Sequence, residues 1–163
     1  MKLDALDQRI IIALEDDGRK PFREIGRELG VAEATVRTRV NRLLEAGLIH
    51  ITAVGDPLKL GVEVMALVLI KVRPGAVQET AEALAGYSNV RFVATSFGSA
   101  DIIIQTLHPH LQSLHTFVSQ ELPRAAPHIT NTETFQLAQK VKSTWNWRTW
   151  FEQQGSLGEV QHA

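Results

Sequence analysis

Apolar residues recur at helical spacing from residue 4 to 47 and at strand spacing through much of the remaining chain. Leu6, Ile10, Ala13 and Leu14 form one stripe, headed by Asp4 as N-cap and by Asp7, whose charge suits a helix N-terminus; Gly18 ends this helix. Phe22, Ile25 and Leu29 predict a short second helix that turns Arg23 and Arg27 outward, and a tight turn at Gly30 comes after it. Val36, Val40, Leu43 and Leu44, at i, i+4, i+7 and i+8, predict a third. Its opposite arc presents Ala34, Thr35, Thr38, Asn41 and Arg42, with Arg37 and Arg39 on the flanks. Two short helices joined by a Gly turn, the second rich in outward Arg, predict a helix-turn-helix.

Beyond Gly47 the period shortens. Leu48 to Val54 is β-rich and stops at Gly55-Asp56-Pro57, which reads as a wing or a linker. Strands are expected over Val62 to Val72, Val90 to Phe97, Asp101 to Leu107 and Ile129 to Val141, and helices over Ala76 to Ala85 and His110 to Leu122. The order β-α-β-β-α-β predicts an α+β chain: a winged helix-turn-helix and then a ferredoxin-like βαββαβ sandwich, a RAM-like domain. The expected divisions are 1–50 for DNA binding, 51–61 as linker, 62–142 as sandwich and 143–163 as an aromatic-rich tail. Ile103, Thr106, Val93 and Leu107 are more apolar than a wetted sheet face should be, so self-association is expected to cover that face.

Overall charge adds little, since the formal net charge is −1. The local balance is different: between Arg19 and Arg42 seven cations face three acids, 7 − 3 = +4, enough for phosphate contacts. The groove-facing arc lacks the Glu that normally interleaves with Arg on a solvated helix, which favours DNA over a merely solvated face. There is no cysteine, which excludes disulfides and thiolate chemistry and suits a reducing compartment. The N-terminus has no export signal, and Val64 to Ile70, the longest apolar run, is too short to span a bilayer; a cytoplasmic protein without membrane contact is expected.

The chain resembles the Lrp/AsnC family of transcriptional regulators. The resemblance rests on Leu3-Asp4-x-x-Asp7-x-x-Ile10, Asp17-Gly18-Arg19, Ile25-Gly26-x-x-Leu29-Gly30-Val31, Thr35-Val36-x-x-Arg39-Val40-x-x-Leu43, Gly47-Leu48-Ile49 and Gly98-x-x-Asp101, and covers about residues 3 to 142. It implies an N-terminal domain on double-stranded DNA and a C-terminal domain that forms homodimers, builds larger oligomers and senses a small-molecule effector, often an amino acid. Arg23, Thr35, Arg37, Thr38, Arg39, Asn41 and Arg42 are then the candidate DNA-binding residues, with Arg39 or Arg42 expected on bases or phosphates. Arg39, at the flank of the inner stripe, is equally well placed for a salt bridge within the domain. A dimer implies a pseudo-palindromic operator, its half-sites about one helical turn apart.

Family effectors lie between dimers near the loop joining the second and third sandwich strands, here Ser96, Phe97, Gly98, Ser99, Ala100 and Asp101. The resemblance thus implies Ser96, Gly98, Ser99, Ala100 and Asp101 as effector-binding residues: Gly98 lets a ligand approach, exposed amides receive a carboxylate, and Asp101 pairs with an ammonium. A plain hairpin turn is the other reading. The chain departs from the family pattern at Ser99-Ala100, often an acid and an aromatic; at Ala32, usually a Ser N-cap; and at Pro123-Arg124-Ala125-Ala126-Pro127, usually Pro-Gly. The tail, with Trp145, Trp147, Trp150 and Phe151, is expected to dock on the sandwich or on a neighbouring subunit.

Other functions fit less well. Siroheme decarboxylases are similar in fold but carry a His-Asn-Tyr stretch where this chain has Val90-Arg91-Phe92-Val93-Ala94-Thr95. His108, His110, His115 and His128 have no carboxylate nearby in sequence to orient them on a metal, and there is no Gly-rich phosphate loop, so no enzyme, cofactor or metal is expected. An architectural DNA binder without an effector remains the alternative.

Overall fold

The computed structural model describes residues 2–142 and 146–153. The chain divides into two compact units, one of Met1–Val54 with Ser143–Ala163 and one of Gly55–Lys142.

In the first unit, α1 (Ala5–Asp16) opens with a capping box: the Asp4 carboxylate accepts the Asp7 amide at 2.9 Å and the Asp7 carboxylate accepts the Asp4 amide at 3.1 Å. It ends two residues before Gly18. Next come α2 (Phe22–Leu29) and α3 (Glu33–Glu45). Ile10, Ile25, Val36 and Val40 are wholly buried between them; each such side chain stabilises by about 1.5–3 kcal/mol on burial. Gly26 makes the tight packing possible, because a Cβ there would stand 2.7 Å from the Val31 carbonyl oxygen. Ala32 heads α3 without a side-chain cap.

The β-rich run Leu48 to Val54 forms no strand. The expected wing is replaced by irregular backbone, because a strand requires a partner edge and none lies beside it among the described residues. Helix α7 (Trp147–Gln153) belongs to this unit: it packs on α1, where docking on the sandwich or a neighbouring subunit was expected. Trp145 lies outside the described residues.

The second unit opens with a 3-10 turn (Pro57–Leu60) and builds β1 (Val64–Val72), α4 (Val77–Ala85), β2 (Val90–Thr95), β3 (Ile102–His108), α5 (Leu111–Thr116), α6 (Leu122–Ala125) and β4 (Ile129–Gln136). The antiparallel sheet has the order β2-β3-β1-β4, the split βαββαβ arrangement expected. Between α5 and α6 the helix widens into a π turn (Phe117–Glu121), where the Leu122 amide reaches the Phe117 carbonyl. Pro123, with no amide hydrogen, explains the widening: it cannot donate to the carbonyl four residues back. Pro123 to Ala125 are therefore helical, and the turn before the last strand is shorter than the run of five residues read from the sequence.

Val68, Ile70, Ile102, Ile104, Leu84, Phe117 and Leu122 form the core between sheet and helices. Strand pairing assigns the faces. Val93 lies opposite Ile104 and Thr106 opposite Val90, so both point at the helices, correcting their placement on the open face; Ile103 and Leu107 do point away. The open face also carries Leu67, Leu69, Phe92 and Phe135. The last strand stops at Gln136, five residues short of expectation, because Gln136 pairs with Ala66, near the start of β1, and the template runs out.

Candidate nucleic-acid interface and effector loop

On α3 the expected arc is exposed: Ala34, Thr35, Arg37, Thr38 and Asn41 all face solvent, and Arg23 and Arg27 of α2 are exposed too. Thr38 donates its hydroxyl to the Ala34 carbonyl at 2.9 Å, which leaves its oxygen free to accept. All three arginines have a partner within the unit, one of the two readings for Arg39 but a departure from expectation for Arg37 and Arg42. Arg37 Nη2 lies 2.6 Å from Glu33 Oε1, and its guanidinium sits 5.4 Å from the Phe22 ring centroid, so a Glu does interleave on this helix. Arg37 nevertheless stays 58% exposed, with donors left over for a phosphate.

Arg39 and Arg42 reach back to the head of α1. Arg42 Nη2 donates to both Asp7 oxygens at 2.7 Å. Arg39 Nη1 donates to Asp4 and, at 3.2 Å, to Asp7. Asp7 has no exposed surface, and an unpaired buried carboxylate is costly, so the two guanidiniums anchor α3 to α1. Hydrogen bonds from the Asp7 amide and from Arg39 hold the Asp4 carboxyl below the usual carboxylate range, and the bonds to the Asp4 and Asp7 carboxylates raise Arg39. This anchor was legible in part: Asp7 stands three and four residues before Ile10 and Ile11, hence on the inward side of its helix, where a carboxylate needs a cation.

At the sandwich loop, Gly98 has φ 136°, a conformation L residues rarely adopt. Asp101 accepts the Val72 amide at 3.0 Å and the Lys71 ammonium at 3.1 Å, and these bonds, the backbone one first, pull its carboxyl below the usual range. Lys71 also donates to the Gly98 carbonyl at 3.0 Å. Asp101 is thus an organiser of the hairpin. Ala100 is buried, Ser96 half-buried, and Gly98 and Ser99 exposed, with Phe97 fully exposed between Ser96 and Gly98. Lys71 is the loop component missed in the sequence, where it reads as one polar residue in a strand.

The histidines do separate jobs. His108 is buried against Phe117 with Nδ1 at 3.2 Å from the Ser113 hydroxyl; burial lowers its pKa, partly opposed by Glu121. His110 caps α5, and His128 meets Arg73 and Glu79. Among the described residues no three His, Cys, Asp or Glu side chains gather as a metal would require.

Residues 3–44 match the AsnC-type helix-turn-helix domain and residues 65–146 match the Lrp/AsnC ligand binding domain. The chain belongs to the Lrp/AsnC family. Lrp/AsnC relatives include an uncharacterised HTH-type transcriptional regulator of Pyrococcus furiosus, 39% identical over 81% of this chain and 89% of the relative. The HTH-type transcriptional regulator FL11 of Pyrococcus horikoshii is 34% identical over 87% of this chain and 93% of its own. Escherichia coli AsnC shares the fold, with a TM-score of 0.80 at 21% identity over 90% of this chain and 99% of that one. So does a Neisseria meningitidis regulator solved as a complex with L-Met, with a TM-score of 0.77 at 18% identity over 88% of this chain and 94% of that one. As an Lrp/AsnC member with both domains in place, the chain is a DNA-binding transcriptional regulator.

Proposed function

We propose that this regulator reads a pseudo-palindromic operator as a homodimer and is modulated by an amino acid or related small metabolite bound between subunits. The observation that carries the DNA part is the exposed arc of α3. Thr35, Thr38 and Asn41 present hydrogen-bonding groups to base edges, while Arg37 and Arg23 contact phosphates. Arg39 and Arg42 act mainly as anchors that set the angle of α3, although Arg39, bonded to the exposed Asp4, can be shared with a phosphate. The dimer forms through the open sheet face, where central strand β1 is apolar on both sides but covered by helices on one. Larger oligomers extend from the dimer.

The effector reading takes support from the Neisseria regulator bound to L-Met and from the loop. Gly98 and Ser99 are open to a ligand, and the half-exposed Lys71 ammonium, bonded to Asp101 and to the Gly98 carbonyl, keeps a third N–H that can meet a carboxylate. A cytoplasmic binding protein, rather than an enzyme, accords with the relatives and with the described helices, none long and apolar enough to cross a membrane.

The test is selection of bound duplexes from a random pool, then titration of the selected duplex and a scrambled one of equal length. Preference for the selected duplex, diminished or enhanced by one of the twenty amino acids, is the expected result; equal binding to both duplexes refutes operator reading.

A further inference from the structure

Helix α7 lies beyond the residues matched to either family domain, yet it packs on the DNA-binding unit. Phe151 is 6% exposed, clustered with Ile11 and Ile12 of α1 and with wholly buried Leu43 of α3, and partly buried Leu3 and Ile49 complete the cluster. Leu43 is the inward residue of the last turns of α3, adjacent to Arg42 and two residues from Asn41. Phe151 therefore backs the C-terminal half of that helix from the side opposite its exposed arc.

Polar contacts fix α7 in one register. Asn146 caps it by accepting the Thr149 amide at 2.9 Å. The Trp147 amide donates to Glu15 at 3.0 Å, Arg148 donates to Asp16 at 3.0 Å, and the Trp147 ring stacks on Phe151 with centroids 6.3 Å apart. Glu15 and Asp16 stand in the last turn of α1, which holds no basic residue, so their charges oppose that helix's dipole. Bonds to α7 offset the cost. The chain also passes between the two units twice, after Val54 and again after Lys142, and the second passage ends in α7.

We propose that α7 is a positioning element for DNA reading: Phe151 sets the seat of α3 on α1, and the return passage gives the sandwich a second covalent route to that helix. The proposal rests on α3 being the reading helix. Positioning by packing affects discrimination more than raw affinity, because base-edge bonds depend on helix angle whereas phosphate contacts tolerate small shifts.

The experiment compares full-length Phe151→Ala and Phe151→Leu with the parent protein at a temperature where circular dichroism shows all three folded. The quantity read is the ratio of dissociation constants for a scrambled duplex and for the duplex the parent selects from a random pool. In Phe151→Ala the ratio falls roughly tenfold while scrambled-duplex affinity holds within about threefold, and Phe151→Leu recovers most of the ratio. A folded Phe151→Ala with the parent's ratio overturns the proposal. If Phe151→Ala does not fold, the milder truncation Phe151→Val is read the same way: a reduced ratio supports the proposal and an unchanged one overturns it. A parent protein with no preference between duplexes refutes the underlying DNA reading instead, so the two failures are distinct.

Discussion

The outward arc of α3 and the open face of the sheet invert the usual roles of charge and apolar surface. On α3, Arg39 and Arg42, the charges that most resemble a DNA contact, are tied into Asp4 and Asp7 and hold two helices together. On the sheet, Leu67, Leu69, Ile103 and Phe135 look like core residues but face away from the helices. Side-chain type shows what a residue can do, and its neighbours decide what it does. A small helical unit has little interior, so it recruits long cationic side chains to fix its geometry.

The comparison breaks most sharply at Asp7. Asp7→Ala should leave two guanidiniums facing each other without their shared carboxylate. Because Arg39 and Arg42 are partly exposed, the loss should sit near the lower end of the range for a broken buried pair, about 3 kcal/mol, read by urea unfolding. A loss near that of a surface pair would mean that these arginines are free for DNA.

At the sheet the opposite is expected. Phe135, opposite Leu67 on edge strand β4, is 45% exposed, so Phe135→Lys should convert the proposed dimer to monomer in sedimentation while costing the monomer little stability. An unaltered dimer would remove the open face from the interface.

Arg37→Ala should change stability by about 0.5 kcal/mol or less, as an exposed i,i+4 pair does, yet reduce affinity for any duplex and lower the salt slope by about 0.9. Equal slopes would show that Arg37 touches no phosphate. Ala32→Ser should supply the missing cap of α3 and raise stability by up to about 1 kcal/mol, visible as a higher melting temperature.

The pH dependence gives the sandwich a step of its own near the His range, ahead of an acid step that both units share. His108 has a lowered folded-state pKa because it is buried, so stability of the sandwich is present above the ordinary His value of about 6.5 and is lost as pH falls below it. Asp4 and Asp101 are lowered too, so their contributions persist through that range and disappear only in acid, below the ordinary carboxylate value. His108→Gln should flatten the first transition and leave the second.

The order and kind of the elements were legible because they depend on local periodicity. The stripe Val36, Val40, Leu43 makes α3 a helix wherever it packs, and the two β-α-β halves announce a split sandwich by their order alone. Element ends were less legible. Leu48 to Val54 has strand residues without a strand, and β4 ends where β1 no longer offers an edge, because a strand exists only with its partner.

Site geometry depended on pairs distant in the chain. Asp7 meets Arg42 across 35 residues and Glu15 meets Trp147 across 132. By itself, then, the sequence determined a helix-turn-helix joined to a βαββαβ sandwich, together with the exposed face of α3, since period and polarity suffice for both. Only the tertiary structure decided that Arg39 and Arg42 anchor that helix, that Asp101 is bound to Lys71, and that α7 returns to α1. Which charge pairs with which, and which apolar side chain fills which gap, is settled by three-dimensional proximity that no local spacing encodes.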